Sequence, residues 1–333
     1  MKSAIGTREI LEVEDGGIRL RGTFHNSPGG WPSSPTDRGG MQIGVFLLNP
    51  GVLPRAATGN TAVYWADSLA RRGYPSFRFD FPGLGDSDGE LPQEVIDFQT
   101  LVNEGGHASI LSRLVSGLVE RFNLRGMVVL GHCAGAVSAI HAAVSNTSIK
   151  GLILLDPYFH VQQKIGRRSV LSQWKQQHMR TLESEPDGSG AGDRHRLRAA
   201  LYSGIHGVYG GLKSIRKLMR GKELPDNANL PLIRSWNQLG AGSLPMLVLR
   251  AGSSTPKSGE FDYLGYLLPR LNREGRVSFR AIAATTHSFA EPLGREGVRE
   301  SAEEWLTAHF PAPGSSGTAP TGGRPVEFAE LVP

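Results

Sequence analysis

The chain has 333 residues, of which 39% are hydrophobic and 20% charged, with a formal net charge of +5 and a single cysteine. That length can bury a sizeable core in one large domain or two smaller ones. One cysteine excludes an internal disulfide, no apolar run reaches the ~18 residues of a membrane helix, and no paired Cys/His spacing points to zinc.

The elements read as follows in chain order. Residues 8–26 alternate around Asp15-Gly16-Gly17 and predict a β-hairpin. A Pro/Gly/Ser loop runs to Gly40, and Met41 to Leu48 is a short apolar run that predicts a buried strand ending at Asn49-Pro50-Gly51. Thr61 to Arg72 predicts a helix closed by Gly73. Tyr74 to Phe81 predicts a strand, Ser109 to Phe122 a helix, Gly126 to Leu130 a buried strand and Ala134 to Val144 a helix. Lys150 to Leu155 predicts a strand that ends at Asp156-Pro157. After a polar interruption the rhythm resumes: strand at Leu244 to Arg250, helix at Phe261 to Leu271, strand at Val277 to Ala284, helix at Arg295 to Phe310.

Strands and helices in alternation predict an α/β fold, a mostly parallel sheet of about eight strands with helices on both faces. Residues 1–157 and 243–310 form its core in this reading. Residues 158–242 are an inserted helical lid, and 311–333, rich in Gly, Pro and Ser, a disordered tail. The basic character belongs to the insertion. Between Lys164 and Leu224 stand 13 Lys/Arg and 5 acids, so that segment carries +8 and the rest of the chain −3. Such a surface suits an acidic partner or an anionic substrate. No aromatic stripe accompanies the charges, so nucleic acid is not expected. A phosphate-binding loop and a dinucleotide fingerprint are absent, and no metal or other cofactor is expected. The first residues contain no apolar leader, which predicts a cytoplasmic protein that does not engage a membrane.

The chemistry concentrates at Gly131-His132-Cys133-Ala134-Gly135. A buried strand leads in and a helix leads out, so Cys133 sits at a sharp strand-to-helix turn that only small neighbours permit. The helix N-terminus there favours negative charge on a thiol. The bland alternative is a small buried cysteine between glycines.

Three further segments, in order, carry a resemblance to the α/β-hydrolase superfamily over residues 8–310. Leu47 to Arg55 (LLNPGVLPR) resembles the strand-3 segment that carries half of the oxyanion hole. Phe77 to Gly89 (FRFDFPGLGDSDG) is similar to the strand-4 segment with its Gly-Asp-Ser turn, and Thr285 to Pro292 (TTHSFAEP) to the late loop that carries the catalytic histidine. The finer likeness is to bacterial hydrolases of exopolysaccharide and specialised-metabolite pathways. The resemblance implies a triad with Cys133 as nucleophile and His287 as base, without a cofactor. It implies an oxyanion hole made by the Ala134 N–H with that of Gly51, or of Val52 as second choice, since Pro50 has no N–H. His132 reads as a packing residue. Asp80 and Asp86 read as structural, bonding local backbone.

The acid departs from the family pattern. Where an Asp is usual after strand 7, this chain has Ala251-Gly252-Ser253-Ser254. If a helix starts near Ser258, Glu260 lies about 60° from the centre of its apolar side and Asp262 about 140° away. Glu260 is therefore the expected acid. Asp262 and Asp156, at the end of strand 6, are the alternatives.

A thiol nucleophile suits esters and thioesters, with hydrolysis or acyl transfer through an acyl-cysteine, on a small-molecule or carrier-protein-bound acyl substrate. The basic insertion would then face an acidic acyl carrier protein. Two other readings are an enzyme that eliminates an acyl group with His287 as base, and a lidded binding module without catalysis.

Overall fold

The computed structural model describes residues 6–26, 42–161, 224–271 and 276–312. The basic segment, residues 164–223, which is most of the expected lid, and the C-terminal tail from 313 lie outside the described residues.

Strands β1 (Arg8–Asp15) and β2 (Ile18–His25) form the expected hairpin. Its turn needs two consecutive left-handed residues, which Gly16 and Gly17 supply at φ 60° and 87°. There follow β3 (Ile43–Leu48), α1 (Thr61–Arg71), β4 (Ser76–Phe79), α2 (Val95–Asn103), α3 (Ala108–Arg121) and β5 (Gly126–His132). Then come α4 (Ala134–Ala143), β6 (Ile149–Leu155), α5 (Leu230–Ala241), β7 (Met246–Ala251), α6 (Tyr263–Leu271), β8 (Val277–Ile282) and α7 (Pro292–His309). Helix α2 is not among the elements expected from pattern. Its apolar residues Val95, Phe98 and Val102 nevertheless recur at helical spacing and are buried.

The eight strands form one sheet in the order β1-β2-β4-β3-β5-β6-β7-β8. The hairpin joins β4 antiparallel, and every later pairing is parallel. The period of two along each strand divides the core. Val45, Leu47, Val128, Leu130, Ile153 and Leu155 pack under α1 and α7 on one face. Phe46, Leu48, Met127, Val129, Leu152 and Leu154 face α3, α4, α5 and α6 on the other. Strands buried on both faces read as continuous apolar runs, which is why β3, β5 and β6 are plain in the sequence.

Residues 230–241, assigned above to the lid, form α5, and its Trp236 is fully buried against Phe159 at 5.2 Å between ring centroids. Asn229 starts the helix by accepting from Leu232 N–H. This helix precedes β7 in the chain, and its apolar stripe belongs to the main core. Among the described residues no helix is long and apolar enough to cross a membrane.

Candidate active site

The carboxyl ends of β3, β5, β6 and β7 meet at the middle of the sheet, where ligands of such folds bind. Cys133 is the residue between β5 and α4, with φ 54° and ψ −115°. A non-glycine residue there is strained, and the surroundings hold it. Cys133 N–H donates to Leu155 O at 2.9 Å, and its carbonyl accepts from Ala136 and Val137. A Cβ on Gly131 would lie 2.5 Å from Gly135 O and 2.7 Å from Ala136 N, backbone atoms that cannot step aside. Gly131→Ala is therefore expected to destabilise the fold by about 1–3 kcal/mol, the usual cost of overpacking. Urea unfolding checks this.

His287 lies in the loop after β8, flanked by positive-φ residues Ala284 and Phe289. Its Nδ1 is 2.9 Å from Asp156 Oδ2, and its imidazole reaches the Cys133 thiol. Burial alone pushes the imidazole pKa down. Hydrogen bonds to Asp156 and to Cys133 outweigh that and raise it to about 10.

Asp156 ends β6 in a left-handed conformation, φ 45°, and its carboxylate is buried. Three donors converge on it. Ala251 N–H reaches Oδ1 at 2.9 Å, while Ser254 Oγ–H at 2.6 Å and His287 Nδ1–H share Oδ2. These three donors, the His287 ring among them, fill the acceptor sites of the enclosed carboxylate.

The acid expected from sequence is elsewhere. Glu260 is exposed in the turn before α6, and its carboxylate accepts from Lys257 N–H at 3.0 Å. The helix starts at Tyr263 instead of near Ser258 because Asp262 caps it, accepting from Gly265 N–H at 3.0 Å. Asp262 also pairs with Arg250. Both residues are engaged locally, and neither meets His287. The structure thus brings Cys133, His287 and Asp156 together and leaves Glu260 and Asp262 out. Ser254, at the site of the missing acid, is a residue that sequence reasoning passed over. It supplies a hydroxyl to the displaced carboxylate.

The β3 loop approaches the elbow closely. A Cβ on Gly135 would sit 2.7 Å from Asn49 O and 2.9 Å from Leu48 Cβ. Asn49 Nδ2 donates to Leu53 O at 2.9 Å and fixes the loop over Gly51 and Val52. Gly51 takes the left-handed conformation at φ 62°. The N–H groups of Ala134, Gly51 and Val52 have no acceptor among the described residues. For Ala134 this follows from its place in the first helical turn. The loop is underpinned by fully buried Asp80, which accepts from Arg55 N–H at 2.5 Å and Asp86 N–H at 3.2 Å and pairs with the Arg55 guanidinium. Asp80 thus bonds local backbone as expected, whereas the exposed Asp86 carboxylate pairs with the same guanidinium at 2.8 Å.

The high imidazole pKa has a consequence for stability. A folded value raised above the unfolded ~6.5 stabilises the fold fully below the unfolded value and is lost as pH rises through about 10. The stability margin of wild type over His287→Gln is therefore expected to be larger near pH 6 than above pH ~10. Urea titrations of the two proteins at both pH values check the sign.

Comparison with known proteins bears on the architecture. Residues 56–193 match the family model described as Hydrolase_4, serine aminopeptidase S33. That span includes the elbow, where this chain has cysteine. No curated protein matches at the sequence level. Among solved structures, the chain is similar to an esterase of Pyrococcus furiosus at 15% identity, covering 92% of each chain with a TM-score of 0.55. It is similar to TT1662 from Thermus thermophilus at 15% identity, covering 91% of this chain and 99% of that one, with a TM-score of 0.51. A proline iminopeptidase-related protein, also from Thermus thermophilus, is 18% identical, with coverage of 92% and 99% and a TM-score of 0.50. At these identities the likeness speaks to architecture, and with the sheet order and the elbow it establishes that this chain has the α/β-hydrolase fold.

Proposed function

We propose that the protein is a cysteine-dependent acyl hydrolase acting on esters or thioesters. The observation that carries this reading is the line of three side chains, with Asp156 2.9 Å from His287 Nδ1 and the imidazole against Cys133 at the strained turn. A nucleophile, a base and an orienting acid in that sequence are the parts acyl transfer needs.

Cys133 sulfur attacks the acyl carbon, and its proton resides on His287. The oxyanion takes hydrogen bonds from Ala134 N–H and from Gly51 or Val52 N–H. The tetrahedral adduct collapses, the bond to the leaving thiol or alcohol breaks, and His287 delivers its proton to that group. Water then attacks the acyl-cysteine, with His287 taking its proton, and the second collapse releases a carboxylic acid and restores the thiol. Asp156 stabilises the imidazolium that appears twice in this cycle. A thioester substrate fits the first step well, because one thioester is exchanged for another of similar energy. An acyl carrier protein is the partner this reading favours, its acidic surface meeting the basic residues between 164 and 224.

Turnover of a thioester panel in ¹⁸O-water tests the reaction class. Hydrolysis places label in the released acid and frees one thiol per acid. Unlabelled acid with an alkene product would overturn hydrolysis in favour of elimination, and no turnover with tight acyl-ligand binding would favour a binding module.

A further inference from the structure

His132 is the one residue of the elbow that the steric argument does not explain. Gly131 and Gly135 are required by close backbone approach, whereas position 132 lies at the end of β5 beside the nucleophile. Its side chain is buried, and its Nε2 stands 2.6 Å from the carbonyl oxygen of His287. A carbonyl only accepts, so Nε2 carries the proton. Burial, with the neighbouring His287 charge, pushes the ring pKa down to about 3, and the imidazole stays neutral. Its Nδ1 is enclosed and has no hydrogen-bond partner among the described residues. Phe289 packs edge-on against the ring at 5.5 Å between centroids.

We propose that His132 is a positioning residue that sets the distance between nucleophile and base, an inference that rests on the acyl-hydrolase reading. The His287 loop has positive φ at both Ala284 and Phe289, a conformation such residues adopt only under restraint. Phe289 is fully buried in the core, and polar ties join the loop to its surroundings. Asp156 holds the imidazole, Ser253 N–H donates to Thr285 O at 3.1 Å, and Glu291 accepts from the Thr285 hydroxyl and Thr286 N–H. His132 adds the tie that joins the base's own backbone to the residue preceding the nucleophile. A hydroxyl or a short amide at position 132 would not span the gap, and a charged group would not tolerate the burial. A neutral imidazole does both, and tolerates one unpaired nitrogen as the cost.

The test compares His132→Phe, which fills the space without a donor, with His132→Gln, which retains an N–H donor of similar reach. Two readouts are used. One is steady-state turnover, and the other is the rate of iodoacetamide alkylation of Cys133, which needs no substrate and is unambiguous because the chain has one cysteine. His132→Phe is expected to lose roughly 10–100-fold in kcat with KM nearly unchanged. Its alkylation near pH 6 should fall about tenfold, because His287 no longer meets the thiol. His132→Gln should recover most of both, with a urea midpoint like that of the Phe variant. Wild-type alkylation and kcat in a folded His132→Phe would overturn the proposal. So would a His132→Gln variant that is folded yet as impaired as His132→Phe. Loss of alkylation without any detectable acyl turnover in wild type would uphold the positioning role and count against the hydrolase reading instead.

Discussion

Cys133→Ala is expected to lower kcat/KM by roughly four to six orders of magnitude. Every bond change in the proposed cycle runs through the sulfur, and His287 alone has no acyl carbon within a covalent path. What remains is background catalysis by the N–H groups of Ala134, Gly51 and Val52, which polarise a bound carbonyl but supply no nucleophile. The substitution removes one heavy atom from a half-buried side chain, and alanine keeps the Cβ, so the fold should survive. Steady-state kinetics with thermal melts of both proteins separates loss of chemistry from loss of structure. A folded variant that retains more than about a hundredth of the activity would rule out a covalent cysteine mechanism.

The second large effect concerns the acid. Asp156→Asn is expected to cost roughly 10²–10⁴ in kcat. The carboxylate receives three donors, from Ala251 N–H, Ser254 Oγ–H and His287 Nδ1–H. An amide offers a single acceptor oxygen and turns an NH₂ toward one or more of those donors. It also removes the charge that stabilises the imidazolium. The lower end of the range reflects the thiol, which ionises more readily than a serine hydroxyl and leans less on the acid. Glu260→Gln, made in parallel, should change kcat by less than about twofold, since that carboxylate is exposed and accepts from Lys257 N–H in its own turn. The reverse ranking would return the role to Glu260 and require a rearranged loop.

The frame is legible in the sequence because its physics is local. Strands β3, β5 and β6 are apolar on both faces, and the glycines around Cys133 are needed by backbone approaches of 2.5–2.7 Å that show as Gly-x-Cys-x-Gly in the sequence. Cys133 and His287 are identifiable because each follows a strand at the sheet's carboxyl edge. Glu260, the acid expected from pattern, sits away from His287 for a specific reason. The helical-wheel argument for Glu260 assumes a helix from Ser258, whereas Asp262 is an N-cap, and a cap starts a helix after itself. The better signal lies in Leu152 to Pro157, LILLDP. An aspartate directly after four apolar residues is carried into the interior, and a buried carboxylate must find partners. The bond from His132 to the His287 carbonyl spans 155 positions and has no local signature at all. The same holds for the Ser254 hydroxyl on Asp156, 98 positions apart.

The cysteine mechanism stands most directly on where the acyl group resides during turnover. Intact-protein mass spectrometry of acid-quenched wild-type reactions with a panel of ester and thioester substrates, followed by peptide mapping, reads this out. The mechanism predicts a mass increase equal to the acyl group minus one hydrogen, located on the peptide containing Cys133 and absent from Cys133→Ala. Turnover that proceeds with no adduct under rapid quench, or an adduct that persists in Cys133→Ala, would contradict it.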